Sequence, residues 1–140
     1  MEIRRISKTK LGKWLSGQSP SLAMGILFGG DRFSCVDEAV VVEVENDIVG
    51  VITIAPRGEQ FSGEPTIVGL YVKLEFRGRG FGRALTIAAI ERCRKRRLVP
   101  VRVDILSTPA KRVIDNLPEE YKKDLKIFDL SGPMGDFSMF

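Results

Sequence analysis

The chain has 140 residues, of which 44% are hydrophobic and 29% are charged, and its formal net charge is +4. This composition is that of an ordinary soluble globular protein, and the length predicts a single domain with a sizeable core. The excess of basic over acidic residues favours an anionic partner, such as a phosphorylated cofactor, a nucleic acid or an acidic surface.

Histidine is absent from the chain, which removes the commonest general base and the commonest metal ligand. The two cysteines, Cys35 and Cys93, are far apart and in no metal-like spacing. We therefore predict no metal site, no disulfide framework and a reducing compartment. No apolar stretch reaches the length of a secretory signal or a membrane span. We expect a cytoplasmic protein with no membrane partner.

The N-terminal part predicts one strand and two short helices. MEIRRIS alternates weakly, which predicts a strand at the edge of a sheet over residues 1–7. Helices are expected at residues 8–17 and 21–28, with Pro20 and Ser21 as a start signal between them. Residues 29–38 are interpreted as a loop.

The stretch AVVVEVENDIVGVITI predicts a β-hairpin. Its two runs rich in Val and Ile are joined by Asn46-Asp47, and both residue types tolerate the positive φ of a two-residue turn. Residues 56–65 are rich in Gly, Pro and polar residues, which predicts a surface loop. A further strand is expected at residues 66–72.

The pattern then changes to a helical period. A helix is predicted from Gly80 to about Arg97, because apolar residues recur at helical spacing until Pro100 stops it. Residues 101–106 predict a strand, and Ser107-Thr108-Pro109 is a start signal for a helix at residues 110–116. The tail, residues 126–140, predicts two short strands around a Gly-Pro-Met-Gly turn.

The loop between the strand at 66–72 and the helix from Gly80 reads RGRGFGR. A helix N-terminus exposes unpaired N–H groups and a partial positive charge, so it attracts anions. Glycines let the backbone approach a phosphate closely, and Arg77, Arg79 and Arg83 can add charge-assisted contacts. We interpret the loop as a phosphate site rather than a tight turn with solvated arginines.

This loop resembles that of the GCN5-related N-acetyltransferases, the GNAT superfamily. The family signature is Gln or Arg, two residues, Gly, one residue, and Gly or Ala, which stands here as Arg77, Gly80 and Gly82. The six-residue motif is loose alone but specific in its strand–loop–helix context, and residues 39–116 follow the family's order. The resemblance implies an α/β (α+β) fold: one domain, residues 1–140, with a mixed, mostly antiparallel twisted sheet and helices on both faces.

The resemblance implies acetyl-CoA as the cofactor and acetyl donor. In the family, backbone amides of the loop hold the cofactor's pyrophosphate, and the preceding strand pairs with its pantetheine arm. The family's sheet splays between this strand and the next, and the thioester lies in the gap. Ser107 takes the position of an Asn that commonly follows the next strand. The implied cofactor-binding residues are Leu70, Tyr71, Val72, Arg77, Gly78, Arg79, Gly80, Phe81, Gly82, Arg83 and Ser107.

The implied reaction is direct transfer of an acetyl group to a primary amine of unknown identity. A base must leave the amine neutral, because an ammonium with a pKa of about 10.4 is not a nucleophile. The N–H of Val72 is the family-like donor to the oxyanion. The family's usual acid is a Tyr, but Ile114 stands at its position. Tyr121 is the nearest substitute, although we interpret it first as a half-buried aromatic residue.

The base must be a carboxylate, a tyrosine or a water molecule that one of them holds. Glu43 alternates with valines on the predicted hairpin, so it is one candidate, although glutamates on a strand usually face solvent. Tyr71, on the cofactor strand, is the other candidate.

Two further functions stay open. Arg79-Gly80-Phe81-Gly82 matches the first half of an RNA-recognition octamer. The residues after it have helical periodicity, so Phe81 would lack the strand-borne aromatic partners that stack on bases, and we rank nucleic acid well below acetyl-CoA. The other function is acetyl-CoA binding without catalysis, because the tyrosine and all histidines are missing. A homodimer is also open, since family members often dimerise.

Overall fold

A computed structural model of the chain describes residues 2–18, 36–57, 63–105 and 107–130. The helix predicted at residues 21–28, Leu106 and the second strand predicted in the tail lie outside these residues. Within them, the structure has six strands and four α-helices, and a short 3₁₀ helix at Leu74–Phe76. The elements are β1 (Glu2–Ser7), α1 (Lys8–Ser16), β2 (Glu38–Val44), β3 (Asp47–Ala55), β4 (Thr66–Val72), α2 (Phe81–Lys95), β5 (Val101–Ile105), α3 (Thr108–Asp115), α4 (Glu119–Lys122) and β6 (Leu125–Asp129).

The six strands form one sheet with the order β1-β2-β3-β4-β5-β6. The pairings from β1 to β4 are antiparallel, whereas β5 runs parallel to both β4 and β6. The prediction of a mixed, mostly antiparallel sheet is therefore confirmed, and so is the position of β1 at its edge. No helix in the described ranges is long and apolar enough to cross a membrane.

Helices cover both faces of the sheet, and the strand alternation explains how. On β2, Val40 and Val42 belong to a core cluster that includes Leu85 and Ile90 of α2. The neighbouring Val41 packs on the opposite face, in a second cluster with the buried leucines of α1. Because successive side chains of a strand point to opposite faces, a strand that is apolar at every position is buried from both sides.

The hairpin turn lies one residue earlier than predicted. The pair Val44↔Asp47 closes the hairpin, so the turn residues are Glu45 and Asn46, with φ values of 52° and 65°. Both central residues of such a tight turn need positive φ. Asn46 adopts it as expected, but Glu45 also does so, whereas Asp47 begins β3.

Two helices begin at positions that differ slightly from the prediction. Gly80 has φ 83° and precedes α2, so the helix starts at Phe81 rather than at Gly80. The Ser107 hydroxyl accepts a hydrogen bond from the Ala110 N–H at 3.2 Å. This cap starts α3 at Thr108, two residues earlier than predicted.

Candidate active site

A β-bulge in β4 creates the site. Between the pairs Ile52↔Leu70 and Ile54↔Ile67, β3 advances two residues while β4 advances three. An extra residue bends a strand and increases its twist. The N–H of Gly69, in the bulge, donates to the Thr53 hydroxyl at 3.0 Å, so the irregular backbone keeps a hydrogen-bond partner.

Beyond the bulge, β4 separates from β5. The two strands pair only at Thr66↔Arg102 and Ile67↔Val103, and a cleft of about 640 Å³ opens between them. The Lys73 N–H donates to the Val49 carbonyl at 2.8 Å. Because backbone groups alternate in direction along a strand, those of Leu70 and Val72 point away from β3, into the cleft. This stretch of β4 thus presents an open edge that an extended amide chain can pair with.

The open edge leads into the glycine–arginine loop. Gly78 and Gly80 have φ values of 77° and 83°, a left-handed conformation that glycine adopts without steric cost. No side chain caps α2, and its first backbone bond runs from the Ala84 N–H to the Gly80 carbonyl. The amides of the first turn therefore remain available to an anion at the mouth of the cleft.

The structure places most of the predicted cofactor residues around this one cleft. The predicted residues that line it are Leu70, Tyr71, Val72, Arg77, Gly78, Gly80, Phe81, Gly82, Arg83 and Ser107. Arg79 is not among them; its guanidinium lies over the Phe76 ring, 5.1 Å from the centroid.

Arg77 connects the loop to β4. Its Nε donates to the Val72 carbonyl at 2.8 Å, and its guanidinium lies 5.8 Å from the centroid of the Tyr71 ring. Tyr71 is half-buried and packs against the core cluster on the α1 face of the sheet. Of the three predicted catalytic residues, Tyr71 is the one that lines the cleft.

The other two catalytic candidates lie elsewhere. Glu43 does not line the cleft; it is ion-paired with Arg4 of β1, whose Nε lies 2.7 Å from Oε1. Val42 and Val44, on either side, pack into the α2 cluster, so Glu43 points to the opposite face. Tyr121 packs at the edge of the α2 cluster, and the Arg94 guanidinium lies 4.8 Å from the centroid of its ring. The structure therefore supports Tyr121 as a half-buried aromatic residue rather than as an acid in the cleft.

The cleft is apolar where the family's acid would stand. Ile114 is buried, with 5% of its surface exposed, and it lines the cleft together with Val113 of the same helix. Ser107 is at the cleft as predicted, but its hydroxyl is engaged in capping α3.

The sequence predicted the strand at residues 101–106 as the far wall of the cleft, but Ser107 was the one residue that it named there. That wall comes from β5 and α3 and includes Val103, Asp104, Arg112 and Asn116. The apolar residues Ala110, Val113 and Ile114 recur at helical spacing and so lie on one face of α3. This spacing is the sequence signal that could have identified the face that lines the cleft. No signal in the sequence pairs that face with the loop at residues 77–83. In the part of the chain described, no group of three or more acidic or cysteine side chains is arranged to hold a metal ion.

The RNA-binding alternative requires the Arg79–Gly82 stretch to lie on a strand. Phe81 and Gly82 instead begin α2, so Phe81 cannot join the aromatic platform of a sheet.

Comparisons with known proteins agree with this geometry. The model of the acetyltransferase (GNAT) family matches residues 14–114. No curated protein has a significantly similar sequence. Among solved structures, the chain is similar to a ribosomal-protein-alanine N-acetyltransferase from Brucella melitensis biovar Abortus 2308, with 17% identity, a TM-score of 0.56, and 81% and 88% of the two chains covered.

Two further solved structures show the same fold. One is the IAA acetyltransferase from Bacillus cereus ATCC 14579, with 17% identity and a TM-score of 0.57 over 81% of this chain and 73% of that one. The other is the aminoglycoside N-acetyltransferase AAC(6')-Iy in complex with CoA, with 21% identity and a TM-score of 0.56 over 84% and 90%. With the family match over most of its length, the chain belongs to the acetyltransferase (GNAT) family, the N-acetyltransferases that its RGRGFGR loop resembles.

Proposed function

We propose that the protein transfers the acetyl group of acetyl-CoA to a primary amine. The observation that carries this proposal is the continuity of the open β4 edge with the cationic loop at the start of α2. The pantetheine arm of the cofactor can pair with the open strand edge, and its pyrophosphate can bind at the cationic loop. The two adjoin at the Val72 carbonyl, which accepts a hydrogen bond from Arg77.

In this proposal the cofactor's pyrophosphate binds the amides at Gly80–Arg83, and Arg77 and Arg83 add charge-assisted contacts. The backbone groups of Leu70 and the carbonyl of Val72, which point into the cleft, pair with the pantetheine amides, and the Val72 N–H is left for the oxyanion. Arg79 takes a smaller part, because its guanidinium lies over the Phe76 ring.

The reaction forms the carbon–nitrogen bond and breaks the carbon–sulfur bond and one N–H bond. The amine nitrogen attacks the thioester carbonyl carbon, the carbon–sulfur bond breaks, sulfur leaves as the thiolate, and the nitrogen loses a proton to water. The N–H of Val72 points into the cleft, where it can stabilise the oxyanion. The apolar surface at Ile114 supplies no acid, so the thiolate leaves unaided or takes a proton from water, which a thiol pKa of about 8.5 permits.

The proteins with similar structures include enzymes named for alanine and aminoglycoside acceptors. Both names fit amine acetylation, and they leave the acceptor of this chain to be found by screening. A cytoplasmic location and a homodimer stay predictions.

The first experiment measures binding of acetyl-CoA. A ligand at a hundredfold excess over its dissociation constant adds about 2.7 kcal/mol to the free energy of unfolding, which corresponds to a rise in Tm on the order of 5–10 °C. We expect this rise for the wild type and a rise smaller by half or more for Arg83→Ala, which removes a cation at the loop. Release of free CoA thiol with a panel of primary amines then reports transfer.

The matched control is Lys95→Ala, which removes the same charge at the opposite, exposed end of α2. It should behave as the wild type. An unchanged Tm with acetyl-CoA, or equal losses in both variants, would contradict the proposed site. Binding without thiol release in the presence of any amine would leave a cofactor-binding protein without catalysis.

A further inference from the structure

Asp104 is the one carboxylate among the described residues that line the cleft. The other charged side chains in this lining are the arginines at positions 77, 83 and 112. A cleft of that composition attracts anionic phosphates at its cationic parts. Asp104 therefore attracts cations, whereas the arginines of the cleft attract anions.

Its position puts Asp104 where the strands begin to separate. Ile67↔Val103 is the last pair between β4 and β5, and Asp104 is the next residue of β5. Val101, Val103 and Ile105 pack into the α2 cluster, so the alternate residues Arg102 and Asp104 face the other side of the sheet.

Tyr71 of β4 faces that same side. It packs against the cluster on the α1 face, and it also lines the cleft. Tyr71 and Asp104 thus flank the gap on the face opposite to α2. An acceptor that approaches from this face would reach the gap without crossing the helix that holds the phosphate loop.

A chain of alternating charges holds Asp104 in place. The Arg102 Nε donates to Asp104 Oδ1 at 3.1 Å, and Arg102 also donates to Glu64 Oε2 at 3.3 Å. Glu64 is ion-paired in turn with Lys126. The Arg102 guanidinium lies 4.0 Å from the centroid of the Phe128 ring, so its orientation is fixed by packing as well as by charge.

This chain is neutral as a whole, because two cations alternate with two carboxylates. Asp104 forms its cleft end, with 14% of its side chain exposed. Among the described residues, only Oδ1 has a hydrogen-bond donor, the Arg102 Nε. A cation that enters the cleft could bind Asp104 and become the next positive charge in this alternating chain.

We propose that Asp104 binds an ammonium group of a polyamine acceptor while a second amino group of the same molecule is acetylated, so that the preferred acceptors carry two or more amino groups. This inference rests on the proposed function, since it assigns the acceptor side of the same cleft. The residue acts through a direct ionic hydrogen bond to the ammonium group that does not react, and the reacting amino group loses its proton to solvent before its nitrogen attacks the thioester.

The test measures binding of three named probes, 1,4-diaminobutane, spermidine and kanamycin, by calorimetry in the presence and absence of CoA. We expect saturable binding of at least one probe to the wild type, and a tenfold or greater rise in its Kd for Asp104→Asn. The affinity for acetyl-CoA should change less than twofold, which separates this inference from the cofactor site.

Asp115→Asn is the matched control, because it removes the same charge from an exposed carboxylate that pairs with Lys111, outside the charge chain, and does not line the cleft. It should leave the Kd of the probe within about twofold. If Asp104→Asn does not fold, the pair Asp104→Glu and Asp104→Gln, which differ only in charge, serves the same comparison, with Glu retaining binding.

Equal binding of the probe by Asp104→Asn and the wild type would overturn the inference, and so would the absence of saturable binding of all three probes. A failure of acetyl-CoA to bind the wild type would instead contradict the proposed function. In activity assays, Asp104→Asn should raise KM for the cationic probe and leave the rate with an arylamine, neutral at the assay pH, unchanged.

Discussion

Gly80 shows how one residue determines the geometry of the glycine–arginine loop. Its φ of 83° lies in the left-handed region, and a Cβ added there would meet no atom within 4 Å. The glycine is therefore required for its backbone conformation and not for space. A side chain at this position would fit sterically and would still strain the turn that aims the first amides of α2.

We expect Gly80→Ala to lower the free energy of unfolding by about 1–2 kcal/mol, the cost of a left-handed conformation for a residue with a Cβ. Urea denaturation measures the difference. Gly17→Ala is the matched control, because Gly17 has φ −91° and its added Cβ would make an ordinary contact with the Trp14 carbonyl at 3.6 Å. Equal effects of the two substitutions would argue against a conformational role for Gly80.

At the scale of elements, the bulge in β4 turns a continuous sheet into a site. Strands that pair along their full length leave no edge for a ligand inside a sheet. The bulge lets β4 leave β5 after Ile67 while its other edge stays bonded to β3. Thr53 supports this arrangement because its hydroxyl accepts the Gly69 N–H.

Thr53→Val keeps the shape of the side chain and removes that acceptor. We expect a loss of about 1 kcal/mol in the free energy of unfolding, the typical value of one hydrogen bond, and weaker binding of acetyl-CoA because the bulge is no longer fixed. Thr66→Val is the comparison, since its hydroxyl donates to the Glu64 carbonyl at 2.9 Å where β4 is still paired. It should cost similar stability without changing the affinity; if both variants lose affinity equally, the bulge has no special role.

At the scale of the whole molecule, a buried carboxylate ties the end of α2 to the sheet. Glu38 of β2 has 5% of its side chain exposed and is ion-paired with Arg5, Arg92 and Arg96. Burial raises the pKa of Glu38, but the hydrogen bonds from Arg92 and Arg5 and the charges of Arg92 and Arg96 outweigh it, so the pKa lies below its ordinary value.

A carboxyl group with a lowered pKa in the folded state stabilises the fold above its unfolded pKa, and that stabilisation disappears as the pH falls through the folded pKa. We therefore expect Glu38→Gln to cost about 1–3 kcal/mol at pH 7, with the difference from the wild type shrinking below about pH 4.5. Urea denaturation at pH 7 and pH 3 measures it. Glu91→Gln, exposed on the same helix, should stay within about 0.5 kcal/mol at both values. A difference independent of pH would contradict the ionic contribution of Glu38.

The local signals in the sequence predicted the local structure well. The two valine-rich runs of the hairpin, the helical period after Gly80 and the strand–RGRGFGR–helix order depend on neighbours within a few residues, and these elements are present. The error at the turn was of one residue, because Glu45 adopts a conformation that its side chain disfavours. The boundary of α3 was missed by two residues because Ser107 alone determines it.

The sequence by itself determined the glycine–arginine loop, because that loop is a contiguous pattern of residue types. Through the family resemblance that this pattern carries, it also predicted the family and the mostly antiparallel sheet. Only the tertiary structure decided which side chains meet in the cleft. The pairing of β1 with β2 places Glu43 beside Arg4, and the separation of β4 from β5 leaves Asp104 and Arg112 lining the same cleft as the loop. These are contacts between segments distant along the chain, and their register depends on strand order and on one extra residue in β4. No periodicity within a single segment carries that information.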